Sequence, residues 1–184
     1  YPKISGKVRF VDKQYFDRSD GPLKGIVATI YATDLINLVR DPSNPDNINE
    51  NAFNENVRVY LKLKNPINQS IYETALADQN YEFWYLNNGI TIVCEECIYP
   101  PNTPSPLATL NSLQIVNGGQ TTHALFEAAQ EDKEKIKSVL LLVRICETKK
   151  DYHITEKISE TTNSQTPVRS RDLHANDRIQ QKLE

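Results

Sequence analysis

Apolar and polar residues alternate along the first thirty residues of the chain. Val8 and Phe10 share one parity, and Ile26 and Ile30 continue it. A period of two is typical of strands with one buried face, and turn-forming residues at 19–22 separate the two runs. The pattern therefore predicts an antiparallel hairpin at the start of the chain.

Short helices and a loop are predicted next. Thr33 or Asp34 is placed to cap a helix over 35–40. Residues 41–56 are rich in Asn, Pro and Asp without periodicity, which is typical of a surface loop. Asn68 is a suitable cap for a further short helix.

Aromatic and β-branched residues enclose a second turn signal. The runs at 81–86 and 90–93 flank Asn87-Asn88-Gly89. An Asn-Gly pair between such runs strongly predicts a β-hairpin, because both residues tolerate positive φ. Four prolines within 100–106 then predict an extended connector.

The second half of the chain has a different pattern. A short apolar strand at 113–116 leads into a glycine turn, then a helix with an apolar stripe at 121–129, then a continuous apolar run at 139–143 that suits a buried strand. Strand, helix and strand within about 30 residues predict a βαβ unit with a right-handed crossover. Two more helices are predicted, over 151–162 and 170–184.

These elements predict an α/β or α+β fold. It has a mixed sheet with a βαβ unit in the second half and an antiparallel hairpin lobe in the first half. A length of 184 residues suits a single domain. The alternative is two sub-lobes, a strand- and hairpin-rich part over 1–106 and the βαβ unit with C-terminal helices over 107–184. The chain begins at Tyr1, lacks methionine and ends within a predicted helix, so we expect a fragment of a larger protein.

Composition narrows the class of protein. Hydrophobic residues make up 39% and charged residues 24% of the chain, close to the globular norm. A formal net charge of −3 argues against a globally basic nucleic-acid binder but is compatible with a local basic patch. There is neither a secretory signal nor an apolar run of membrane-spanning length. Three cysteines, an odd number, favour a reducing compartment over a disulfide framework.

The predicted turn between strand and helix carries the most chemical information. Its sequence is Asn117-Gly118-Gly119-Gln120-Thr121-Thr122-His123. The start of a helix presents unpaired N–H groups at the positive end of the helix dipole, which suits an anion such as phosphate. Thr121 and Thr122 add hydroxyl donors, and Gln120 adds an amide. His123 is a candidate acid–base group. Alternatively, the glycines only make the turn and Thr121 is an ordinary N-cap.

Two other polar segments are candidate ligand sites. Asn87 and Asn88, at the tip of the predicted hairpin, offer amide donors and acceptors. The neighbouring aromatic residues at 83–85 either stack on bases or fill the core, and the frequency of buried aromatic residues favours the core.

The second of these segments is the loop before the last predicted helix, which combines Asn163 and Gln165 with Arg169 and Arg171. The guanidinium groups suit phosphate contacts, and the alternative is a solvated helix start.

Patterns for metal binding and nucleophilic catalysis are weak. Cys94 and Cys97 have the spacing of half a zinc site, but no matching second pair follows. Residues three apart on a strand also face opposite sides, and no Gly-x-Ser-x-Gly motif is present. We therefore expect no metal site and no evident cofactor, with Mg²⁺ only if the chain is a nuclease.

Five short motifs occur in a distinctive order. They lie at 53–61, 83–92, 115–122, 158–168 and 172–177. In this order they resemble the bacterial abortive-infection phage-resistance (AIPR) family, from about residue 26 to the end of the chain. The resemblance implies a cytoplasmic bacterial defence protein.

The glycine turn alone is also distantly similar to the phosphate-binding box of the ParB–sulfiredoxin-like superfamily, which implies binding of nucleotides or DNA. Those proteins usually carry a basic residue two places after the Gln, where this chain has Thr122 followed by His123. The departure favours plain phosphate binding over nucleotide hydrolysis.

The sequence is compatible with three functions. The first is a phosphate-, nucleotide- or nucleic-acid-binding module of a phage-defence protein. The second is a nuclease or nucleotide hydrolase of the same system, with His123 as base and the arginines stabilising charge. The third is a non-catalytic sensor or assembly domain that recognises a phage protein. The expected partners are nucleic acid or nucleotide, missing parts of the same chain and a phage protein, without a membrane.

Overall fold

A computed structural model of the protein describes residues 3–55, 57–58, 67–149 and 151–163. The strands are β1 (Ile4–Asp20), β2 (Leu23–Tyr31), β3 (Ile90–Cys94), β4 (Glu96–Ile98), β5 (Leu107–Asn117) and β6 (Leu140–Glu147). The α-helices with fully described bounds are α1 (Ala32–Val39), α2 (Gln69–Leu76), α3 (Phe83–Leu86), α4 (Gly119–Glu131) and α5 (Lys133–Ile136). A further helix, α6, is described over 152–163. None of the helices within the described ranges has both the length and the apolar character needed to cross a membrane.

The opening hairpin and the mixed α/β fold class are confirmed. β1 and β2 pair in antiparallel fashion around a turn at Gly21. The alternating apolar positions of both strands, including Val8, Phe10, Ile26 and Ile30, are buried. The period-two pattern thus identified the inward face of both strands.

Strand pairing closes the sheet into a ring. The order is β1-β2-β6-β3-β5-β4, and β1 additionally pairs with β5. β1 can serve two neighbours because its register shifts between Phe10 and Tyr15, where Lys13 has a φ of 57°. The N–H of Phe10 also donates to the carbonyl of Pro106 at 3.0 Å, so the proline-rich connector lies along the bend.

A hydrophobic core is shared by the ring and the helices. It includes Phe10 of β1, Leu35 of α1, Ile115 of β5, Phe126 of α4 and Ile145 of β6. Helix α4 packs against α2 and contacts α1 and β3. Strands from before and after residue 106 are interleaved around the ring, since β5 pairs with β1 and β3 while β6 pairs with β2 and β3.

The second half contains the predicted succession of strand, helix and strand, as β5, α4 and β6. These two strands are not parallel neighbours, because β3 lies between them, antiparallel to β5 and parallel to β6. The predicted parallel crossover between the two strands is therefore wrong. The parallel pair is β3 and β6, and β4, β5, α4 and α5 all lie within the connection between them.

The predicted hairpin around Asn87-Asn88-Gly89 is also wrong. Residues 80–86 form a short 3-10 turn (Asn80–Glu82) and α3 instead of a strand. Asn87 ends α3 by donating its N–H to the carbonyl of Phe83 at 3.1 Å, and Gly89 then leads into β3 with a φ of 79°. The β-propensity of the aromatic residues is overridden because Phe83 is buried and Trp84 donates to Thr29 Oγ1 of β2 at 3.0 Å.

The smaller predicted elements differ in outcome. Asn68 caps α2 through its side-chain oxygen, which accepts from the N–H of Ile71 at 3.3 Å. Helix α1 has no side-chain cap, and the carboxylate of Asp34 accepts from the N–H of Arg9 at 2.8 Å instead. The helix predicted over 151–162 is confirmed as α6, whereas the one over 170–184 lies outside the described residues.

Cys94 and Cys97 both belong to the hydrophobic core. The expectation that they face opposite sides of one strand is wrong, because the strand is interrupted at Glu95, whose N–H bonds to the carbonyl of Asn111 at 3.0 Å. Burial raises the pKa of both thiols, that of Cys97 to about 12. In the part of the chain that the structure describes, no three His, Cys, Asp or Glu side chains form a group able to hold a metal ion.

We expect the thiols of Cys94 and Cys97 to be unreactive in the folded protein. At pH 8 a neutral disulfide reagent should modify neither within the time in which it modifies both in urea, because a buried thiol with a raised pKa forms almost no thiolate. Mass spectrometry after trypsin digestion would locate the label. Rapid labelling of either cysteine without denaturant would contradict the packing described here.

The close approach of Gly89 and Gly118 predicts a large effect of adding a methyl group. A Cβ at Gly89 would lie 2.4 Å from the carbonyl oxygen of Leu142, and one at Gly118 would lie 2.5 Å from Ile90 Cγ2. Because both glycines also have positive φ, replacement of either by Ala should lower the free energy of unfolding by about 3 kcal/mol.

The control for this experiment is Gly21→Ala. Gly21 has a φ of +58° but nothing within 4 Å of its Cβ position. The free energy of unfolding of this variant should therefore fall by only about 1 kcal/mol, which is the cost of a left-handed backbone for a residue with a Cβ. Urea unfolding would give all three values. Equal losses at Gly21 and Gly89 would show that steric contact contributes nothing.

Candidate functional site

The glycine turn joins the end of β5 to the start of α4. Asn117 is the last residue of β5, and Gly118, with a φ of 95°, is the N-cap of α4. The helix begins at Gly119, two residues earlier than predicted, because a glycine in the left-handed region reverses the chain within one residue. The alternative interpretation, in which Thr121 is the N-cap, is wrong because Thr121 already lies within the helix.

The first turn of α4 has no side-chain cap. The earliest backbone donor with a partner inside the helix is the N–H of Thr122, which bonds to the carbonyl of Gly118 at 3.0 Å. The Thr122 hydroxyl donates to the same oxygen at 2.9 Å. The N–H groups of Gly119, Gln120 and Thr121 precede this bond and stand at the positive end of a 13-residue helix.

Asn87 connects the second polar segment to this helix start. Its Nδ2 donates to Thr121 Oγ1 at 3.1 Å, while its Oδ1 accepts from the N–H of Gly89 at 2.8 Å. Asn88, next to it, is exposed. A Cβ on Gly118 would be 3.0 Å from the carbonyl oxygen of Gly89. The structure therefore brings together the two segments that the sequence singled out, although by a different secondary structure.

The third segment reaches the site through the last described turn of α6. Asn117 Nδ2 donates to the carbonyl of Thr162 at 2.7 Å. Asn163 turns back onto its own helix and donates to the carbonyl of Ser159 at 2.8 Å. The other predicted members of this segment lie outside the described residues. They are Gln165, Arg169 and Arg171.

Asn54 and Ser159 belong to the same polar cluster but were not predicted as site residues. Ser159 Oγ donates to Asn54 Oδ1 at 2.9 Å, and the N–H of Asn54 donates to the carbonyl of Ile115 in β5 at 3.0 Å. Asn54 follows Phe53, which also bridges to Ile115. The sequence carried one signal for Asn54, because it follows an apolar residue inside an Asn-rich loop. Composition alone did not distinguish Asn54 from the other asparagines of that loop.

His123 lies one turn into α4 and is half-buried. Its ring stacks on Phe53 with a centroid distance of 5.4 Å and an interplanar angle of 24°. Burial lowers the pKa of His123, and the carboxylate of Glu50 partly opposes this shift. The imidazole is therefore neutral at pH 7 and able to accept a proton.

The aromatic residues before Asn87 divide between core and surface. Phe83 is buried, and Trp84 is partly buried through its bond to Thr29. Tyr85 is 77% exposed and contacts the edge of the Trp84 ring. The preferred assignment to the core holds for Phe83 but is wrong for Tyr85.

The described part of the site offers uncharged donors. Backbone N–H groups come from the start of α4, and amide and hydroxyl groups come from Asn87, Asn88, Gln120 and Thr121. The site residues named in the sequence analysis include no carboxylate. Such a set is suited to an anion held by directed hydrogen bonds.

Comparison with known proteins gives one family. The sequence model of the family described as AIPR protein matches residues 53–184, a range that includes Asn54, Asn87, the glycine turn and α6. No curated protein and no solved structure matches with significance. AIPR proteins are associated with abortive-infection defence against phage, which agrees with the resemblance of the motifs. Because the match covers well over half of the 184 residues, the chain belongs to the AIPR family.

Proposed function

We propose that this domain is a phosphate-binding module of an antiphage protein, and that the glycine turn holds a phosphate of a nucleotide or nucleic acid. The observation that carries the proposal is the uncapped start of α4. Three consecutive N–H groups precede the first intrahelical bond there, and the dipole of a long helix favours negative charge at that end.

The neighbouring side chains support an anion rather than a cation. Asn87 holds Thr121 Oγ1 by a bond of 3.1 Å, so the Thr121 hydroxyl is free to direct its own proton elsewhere. Gln120 is half-buried and Asn88 exposed, and both bring amide donors to the same region. The domain has a formal net charge of −3, so affinity would come from local directed bonds more than from long-range attraction.

Phosphate binding is tested with Gln120→Glu. The new carboxylate is nearly isosteric, suits the first turn of a helix, and competes with the ligand for the N–H groups. We expect the affinity for inorganic phosphate, nucleotides and short oligonucleotides to fall at least tenfold, while the free energy of unfolding stays within about 0.5 kcal/mol. Calorimetry at two salt concentrations would measure the affinities.

Gln130→Glu is the matched control. It makes the same chemical change near the opposite end of α4, where the exposed Gln130 amide donates to the carbonyl of Asp46 at 2.7 Å. This variant should bind phosphate like the unmodified chain. If both variants and the unmodified chain bind phosphate with equal affinity, the glycine turn has no role in binding. If none of them binds phosphate, the result favours the sensor hypothesis.

A second candidate function, a nuclease or nucleotide hydrolase, is favoured by one observation. His123 is kept neutral by burial and lies on the same first turns of α4 as the proposed phosphate site. A neutral imidazole is suited to activate water next to a bound phosphate.

If the domain is a hydrolase, turnover should rise with pH, with its midpoint below the ordinary histidine pKa of about 6.5. The base works deprotonated, and burial places the pKa of His123 below its ordinary value of about 6.5. His123→Gln should lower kcat by about 100-fold without changing phosphate affinity, and His153→Gln, at an exposed position, should change neither. Turnover that survives in His123→Gln would remove this residue from the mechanism.

A further inference from the structure

The two most deeply buried side chains of α6 are polar, and the neighbouring Ile154 and Ile158 are half-buried. Thr155 is 7% exposed and Ser159 is fully buried, and their spacing of four residues places them on one side of the helix. Among the described residues, the hydrophobic core cluster contains no member from α6. By contrast, α4 contributes Leu125, Phe126 and Ala128 to that core.

Within the described residues, three hydrogen bonds join α6 to different parts of the body, and Lys3 Nζ also lies 4.9 Å from the centroid of the Tyr152 ring. Near the start of α6, the hydroxyls of Thr148 and Thr155 lie 3.2 Å apart. In the middle, Ser159 donates to Asn54. At the end, Asn117 of the glycine turn donates to the carbonyl of Thr162. We refer to these three bonds as the polar seam.

A polar seam separates more easily than an apolar one. Each hydrogen bond exchanges for a bond to water when the helix leaves, so its net contribution is small, whereas apolar contacts lose their favourable burial outright. The helix also keeps its own cap after separation, because the side chain of Asp151 accepts from the N–H of Ile154 at 3.2 Å. The helix therefore stays folded when it separates and loses only its fixed position against the rest of the domain.

We propose that α6 is a detachable arm whose docking is coupled to phosphate binding at the glycine turn. In the docked state, Asn117 is held by Thr162 and Asn163 is brought next to the turn. Undocking releases Asn117 and opens the surface of Asn54. The coupling rests on the proposed function, but the detachment of the arm does not.

Hydrogen exchange of the whole chain, followed by mass spectrometry, tests the detachment without any ligand. We expect amides of α6 to exchange through a local opening that is insensitive to low urea, while amides of α4 exchange only through global unfolding. Exchange of α6 at the rate of the core under all conditions would overturn the proposal, whatever the domain binds.

Two substitutions on α6 distinguish the effect of the polar seam from the effect of helix stability. Ser159→Ala removes the bond to Asn54 and should accelerate exchange of α6 about tenfold, leaving α4 unchanged. Glu160→Ala, one residue away at an exposed position, should have no effect. If both variants accelerate exchange equally, the seam does not hold the arm.

A double substitution is expected to strengthen the contact between α6 and the rest of the domain. Thr148→Val together with Thr155→Val replaces a facing pair of hydroxyls by methyl groups of the same shape, which should slow exchange of α6 severalfold. Faster exchange in this variant would show that the hydroxyl pair is a strong contact and would contradict an easily opened seam.

The coupling is tested by adding inorganic phosphate at constant ionic strength. Saturating phosphate should slow exchange of α6, because a ligand that binds the docked state more tightly stabilises docking by the same factor. Ser159→Ala should weaken phosphate binding by no more than that factor, since it lowers only the docked population. Phosphate binding without any change in α6 would overturn the coupling and leave the proposed function intact. Absence of phosphate binding together with a local opening of α6 would overturn the proposed function and the coupling, but not the arm.

Discussion

The structure depends on two glycine backbones that cross without side chains between them. Gly118 turns the chain from β5 into α4, and the site where its Cβ would lie is taken by Ile90 and the carbonyl of Gly89. Gly89 in turn lies against the backbone of β6 at Leu142. This contact sets the distance between β3, β5 and β6 at the point where α4 begins. A single methyl group at either glycine would push the strands and the helix apart.

The closed ring of strands holds the elements that meet at this crossing point between hydrogen-bonded neighbours. β1 bends so that one half pairs with β5 and the other with β2, which leaves β3 and β6 fixed between neighbours. The start of α4 is therefore held by a frame with paired edges. An anion site made of backbone N–H groups needs such a frame, because its donors cannot adjust as flexible side chains do.

The polar residues around this frame make three connections between elements. Asn87 joins α3 to α4, Asn117 joins the turn to α6, and Asn54 joins β5 to α6 through Ser159. The first connection joins two helices that both contribute to the hydrophobic core, α3 through Phe83 and α4 through Leu125. The described residues of α6 contribute no member to that core cluster. Recognition at the turn and movement of α6 would thus involve the same asparagine, Asn117.

The sequence by itself determined the elements whose signal is local. These are the period-two faces of β1 and β2, the asparagine cap of α2, the strand β6, and the presence of polar donors beside a glycine turn. The predicted burial of β6 on both faces was wrong, because buried positions alternate along it with half-exposed and exposed ones. The tertiary structure alone decided strand order, because β3 inserts between β5 and β6 through contacts that no local pattern encodes. It also made a helix of 83–86 and brought Asn54 to α6, since burial of Phe83 and pairing of Phe53 with β5 outweigh local propensity.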